Sequence, residues 1–166
     1  MGPRLLALTA LGAALMCVCS QPAGHAGGSP SALPSGGCRA GPPEAGVYQP
    51  DRLQVLDPCK HAEGTVVDVA HEEDGDYHVW FRADAGYEYL LNSENHFQAR
   101  PAMLAEITPD CPASTNPPDA QSAARCSKTN LTIPSLGNHI AIDGPWVLDT
   151  DHGWREIHPV DSIRIR

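Results

Sequence analysis

A mostly β domain of five or six short strands is what this sequence predicts, and three observations carry that expectation. Short β-branched and aromatic runs recur between turn residues, an Asp-Gly pair separates two of them, and helical periodicity is nearly absent. The first strand is expected from Gly64 (GTVVDVAH), and an acidic turn follows at 72–76. YHVWFRA (77–83) is the second strand, since Asp-Gly between two such runs is a strong hairpin mark. A third is read at 87–91, and the polar stretch after it holds a short helix ended by Pro101. Further β-type segments are read at 103–107, 139–143, 146–149 and 154–165, with a second turn around 151–153 and a loop insertion at 109–132. A helix or linker between the third and the later strands fits a small Greek-key barrel of the OB type better than a seven-strand sandwich.

Ahead of that domain (38–166), the chain reads as an export leader and a tether. Arg4 precedes an uncharged apolar stretch at 5–19, shorter than the roughly 20 residues a membrane-spanning helix needs. Residues 1–20 are therefore read as a signal peptide cleaved after Ser20. A lipoprotein reading competes, in which Cys17 or Cys19 is acylated and holds the protein at the membrane surface, although the residue before either cysteine is not small. Residues 21–37 are dominated by Gly, Pro, Ser and Ala, a composition with little to bury, and read as a flexible spacer.

Export agrees with the cysteines. Without the leader, Cys38, Cys59, Cys111 and Cys126 remain, an even number with three pairings open to it. The preferred pairs are Cys38–Cys59, which ties the N-terminal segment to the first strand, and Cys111–Cys126, which closes the insertion. No C-x-x-C spacing favours zinc. Asn130-Leu131-Thr132 matches a glycosylation sequon. Eleven basic residues against 20 acidic give a net charge of −9, which argues against nucleic acid as a partner. The membrane enters only through the lipid-anchor reading.

Treating both turns as two-residue hairpins sets His71 opposite His78, and Asp149 opposite Glu156. Directly opposed side chains have Cβ atoms about 4.5–5.5 Å apart, so the Asp149–Glu156 pair calls for a cation, a nearby Arg such as Arg155 or Arg82, or a different register. Along the last strand, Trp154, Glu156 and His158 alternate onto one face, read as polar with an aromatic rim. Those three and Asp149 are the candidate ligand-binding residues. As donors for a divalent ion, the candidates are the cross-strand pair His71 and His78 and the cluster Asp149, Glu156 and His158. The bland reading of each is a solvated surface group, and the acidic turn 72–76 lacks the ligand spacing of an EF-hand loop. At least one of Trp80, Trp146 and Trp154 is expected to be exposed. No H-E-x-x-H, G-x-S-x-G or phosphate loop marks the domain as an enzyme.

The segments GPWVLD (144–149) and HGWREIHP (152–159), with GTVV (64–67) and GDYH (75–78), resemble a group of uncharacterised bacterial exported domains with an OB-like β-barrel. The resemblance covers roughly 59–163 without the insertion, and it implies a fold and a location but no activity. Two function classes stand. The favoured one is an exported, extracytoplasmic binding module for a small ligand, an oligosaccharide, a metal ion or an envelope protein. The other is a metal-dependent hydrolase using Asp149, Glu156 and His158.

Overall fold

The computed structural model describes residues 2, 37–97 and 101–166. The leader and nearly all of the spacer lie outside the described residues. Six strands form one mixed sheet: β1 (Leu53–His71), β2 (Tyr77–Ala83), β3 (Met103–Ile107), β4 (His139–Asp149), β5 (Arg155–Ile157) and β6 (Ser162–Ile165). Their order is β1-β2-β3-β5-β4-β6, and an additional β1–β4 pairing closes the first five into a ring, with β6 added outside it on β4. Only the β3–β5 pairing is parallel. The expected mostly β fold of five or six strands is thus observed, as is the short helix, α1 (Ser93–Phe97).

β1 makes the ring possible by serving two partners. Its first part pairs with β4 and its last part with β2, and Gly64 stands in both ladders, opposite Ile140 and Ala83. A Cβ at Gly64 would lie 2.2 Å from the Arg82 carbonyl oxygen, so only glycine fits the switch. Inside the ring, Val66, Val79, Phe81, Met103, Ala105, Ile107, Ile140, Ile142 and Ile157 are buried together.

Several expected elements differ. β1 begins at Leu53 rather than Gly64, because irregularities opposite β4 between Val55 and Lys60 break the alternation that would reveal it. Residues 87–91 hold no strand: a 3₁₀ turn, Glu88–Leu90, follows Gly86 at φ 97° and plugs Leu90 into the core with no exposure. The Trp146 indole donates to the Leu90 carbonyl at 3.1 Å and anchors that plug. Residues 139–149 form one strand, with Gly144-Pro145 near the irregular stretch of β1, where a proline is tolerated. The expected strand 154–165 is two, β5 and β6, separated around Pro159.

The insertion carries a short helix, α2 (Ala120–Ala124), with Asp119 as its N-cap accepting from Ser122 N at 2.7 Å. Both expected disulfides, Cys38–Cys59 and Cys111–Cys126, are present. They fit an oxidising, extracytoplasmic environment. Among the described residues, no helix is long and apolar enough to cross a membrane.

Candidate functional site

Two turns set the geometry, and both are longer than two residues. At the first, Glu72 N donates to the Asp76 carbonyl at 2.8 Å, enclosing Glu73, Asp74 and Gly75. Gly75 has φ 91°, so the third loop residue takes the left-handed position that such three-residue loops require. One residue more than expected slips the register by one. His71 therefore faces Tyr77, and His78 faces Ala70. His71 is exposed and stacks on Tyr77 with ring centroids 4.4 Å apart, so it does not join His78.

At the second turn, Gly153 N donates to the Asp149 carbonyl at 2.7 Å, and Asp149 N to the Trp154 carbonyl at 3.0 Å. Val147, not Asp149, then lies opposite Glu156. A slip of two leaves the faces unchanged, so Trp154, Glu156 and His158 do share one side. That side is not a solvent face. Trp154 is 8% exposed, and Glu156 and His158 are fully or almost fully buried. Trp80 and Trp146 are half-buried, so the expected exposed tryptophan is absent.

Across neighbouring strands the same face collects further polar groups. Glu106 on β3 lies opposite His78 on β2, and Leu104 lies between Trp80 and Glu156. His78 Nε2 is 3.2 Å from Glu106 Oε1. His158 Nδ1 is 3.0 Å from Glu156 Oε1, with which it shares its hydrogen bond, and 2.9 Å from Glu106 Oε2, which accepts none. Trp154 Nε1 donates to Glu156 Oε2 at 2.7 Å, while its ring packs edge-on against Trp80 and stacks on His152. The Asn95 amide on α1 donates to the Arg155 carbonyl at 2.8 Å and accepts from Arg155 N at 3.0 Å, holding β5 from its flank.

Arg52, just before β1, pairs with Asp149 and reaches within 3.8 Å of Glu106. Asp149 also accepts from the amides of Asp151 and His152 at 2.8 and 3.2 Å. The like-charge problem foreseen between Asp149 and Glu156 is therefore resolved by register and by an arginine, Arg52, rather than by Arg155 or Arg82. Arg155 instead lies over the Trp146 ring, 5.0 Å from its centroid.

Charge in this network is shaped by burial. Desolvation disfavours the His158 cation, yet Glu106 and Glu156 outweigh it and push its pKa up to about 10. Desolvation would likewise raise Glu106, but His158 and His78 hold it well below the usual carboxylate range. Burial raises Glu156, with Glu106 adding to the effect. Asp76 is pushed up to about 8, chiefly by burial. Asp149 is lowered: burial opposes this, but His152 and Arg52 prevail.

Over the network opens a cleft of about 340 Å³, with Arg52, His78 and Glu106 on its wall and Tyr48, Asp151 and His152 at its rim. A larger cavity of about 410 Å³ lies between the first turn and the insertion. Its charged lining residues, His71, Glu72, Glu73 and Lys128, are exposed or half-buried, so it lacks the desolvated charges of the smaller cleft.

The structure thus joins four of the candidates, Trp154, Glu156, His158 and His78, and ties Asp149 in through Arg52. It adds three residues that the sequence reading missed: Arg52, Asp76 and Glu106. Asp76 was hidden in an acidic turn read as solvated, yet it is 5% exposed. Glu106 did leave a mark, as the one polar residue in the apolar strand MLAEI. No family model, curated protein or solved structure matches this chain.

Proposed function

We propose that this chain is an extracytoplasmic binding module, and that it takes a small polar ligand in the cleft above Arg52, His78 and Glu106. One observation carries the reading: the cleft wall is made of charged side chains that a buried network holds in place. Arg52 is tied to Asp149, His78 to Glu106, and Glu106 lies against His158. Fixed, partly desolvated charge on the wall of a concave site gives a ligand orientation and specificity, and the cleft volume suits a small molecule. The rim adds Glu72, Glu73, Asp74 and Asp151, which favours ligands carrying hydroxyl or cationic groups over anions. The exported location remains part of this proposal and draws support from the two disulfides.

Tryptophan emission provides the test, because His152 on the cleft rim stacks on Trp154 with centroids 4.2 Å apart. Titration with soluble oligosaccharides and with small polyamines should change that emission for at least one class, and Arg52→Lys should weaken the response. If neither class changes it, or if the response survives Arg52→Lys unaltered, the cleft is not the binding site.

A further inference from the structure

Within the buried network, three residues from three separate elements converge: Asp76 from the first turn, Glu106 from β3, and His158 just beyond β5. Each offers one ligating atom, and these atoms lie within 4.8 Å of one another. The residues are 5%, 2% and 1% exposed. Two atoms in this trio, Glu106 Oε2 and His158 Nε2, are buried and have no hydrogen-bond partner among the described residues. Glu106 Oε2 still faces His158 Nδ1 at 2.9 Å, but His158 Nε2 has no such contact, and leaving a buried polar atom unsatisfied costs about 1–3 kcal/mol, so the trio calls for a partner there.

We propose that Asp76, Glu106 and His158 bind a first-row divalent transition metal ion, of the zinc type, beneath the cleft. The inference deepens the binding-module reading and rests on it, since it names a ligand class for that site. Zinc takes oxygen and imidazole nitrogen at about 2.0–2.2 Å in tetrahedral geometry, so two ligands on one ion stand roughly 3.3–3.6 Å apart. Holding the ion therefore requires the three side chains to draw inward from a spacing of up to 4.8 Å. Imidazole in the set selects against calcium and magnesium, which prefer oxygen ligands alone. Outer contacts are in place as well. Once an ion displaces its proton, a His158 ring that keeps Nδ1–H on Glu156 Oε1, 3.0 Å away, offers the Nε2 lone pair, and His78 stands 3.2 Å from Glu106 Oε1.

Nothing else in the trio competes with the ion except a proton, which would leave His158 as a cation between Glu106 and Glu156. Metal and proton can be told apart. The full chain, purified with both disulfides formed and stripped with a chelator, is titrated with Zn²⁺ by calorimetry and with Co²⁺ by visible absorption. Saturable uptake of a single ion is expected, with Co²⁺ bands of nitrogen and oxygen ligation and pulsed electron paramagnetic resonance showing one imidazole nitrogen. Asp76→Asn should weaken Zn²⁺ by about tenfold or more. Asp84→Asn, in a different acidic cluster, should leave affinity unchanged. Absence of uptake at micromolar Zn²⁺ and Co²⁺, or a Co²⁺ spectrum without imidazole, overturns the site even if the variant fails to fold. So does wild-type affinity in a folded Asp76→Asn. Trp154 emission with oligosaccharides and polyamines is read on the stripped protein in parallel. A retained response without metal uptake removes the ion and leaves the cleft reading standing, whereas loss of both removes both.

Discussion

One Asp, one Glu and one His come together twice on this sheet, and the two trios differ in everything except composition. Glu63, Asp84 and His139 are half-buried, and their charges are answered locally: Glu63 pairs with Arg166 and His61, and His139 Nε2 is 2.8 Å from Asp84 Oδ2. Asp76, Glu106 and His158 are buried, drawn from distant parts of the chain, and leave two atoms without hydrogen bonds. In the first trio water can solvate whatever the protein leaves unpaired, so ionic contacts there are worth little. In the second each charge depends on its neighbours, so removing one has consequences for all. The lesson is that residue type alone does not mark a site: desolvation does.

Arginine substitutions break the comparison most severely. Arg52→Met removes the cation that faces Asp149 and Glu106 and should cost about 3–5 kcal/mol in urea unfolding, whereas Arg166→Met at the half-exposed trio should cost about 0–1 kcal/mol. Equal costs would mean that the buried network is not electrostatically strained. Next in size is Trp154→Phe, which keeps the ring packing against Trp80 but leaves Glu156 Oε2 without its donor. A loss of about 1.5–3 kcal/mol is expected by the same assay.

Acid should then separate the regions further. The folded pKa of Asp149 is depressed, so its contribution is present above its unfolded value of about 3.9 and is lost as pH falls through the lower folded value. Urea midpoints measured downward from pH 6 should therefore drop most steeply below about pH 4, and Asp149→Asn should flatten that part of the curve. Arg52, which pairs with it, remains cationic throughout this range. Smallest is Gly75→Ala, which forces a left-handed residue and brings a Cβ within 3.0 Å of Pro109; about 1–2 kcal/mol is expected.

Much of the scaffold was legible in the sequence, and the reasons for the exceptions are physical. GTVV, YHVWFRA and MLAEI read as strands because they are short β-branched, aromatic or apolar runs set off by turn residues and loops. Cysteine spacing pointed to both disulfides. β1 was cut short because its first part runs through Pro58 and irregular pairing, where alternation fails. The site was only half legible. Alternation placed Trp154, Glu156 and His158 on one face, but whether that face meets solvent or another layer is a tertiary property. Turn length decided the rest. Asp-Gly signals a two-residue loop, whereas the turn encloses three residues and so moves His71 away from His78, which the β2–β3 ladder sets against Glu106.

Anomalous X-ray scattering at the zinc edge, from crystals grown with Zn²⁺, tests the central claim most directly. A peak bonded to Asp76, Glu106 and His158, with nothing comparable at Glu63, Asp84 and His139, is the predicted result. A map with no peak in the buried trio, or with zinc held only by the half-exposed one, would contradict it.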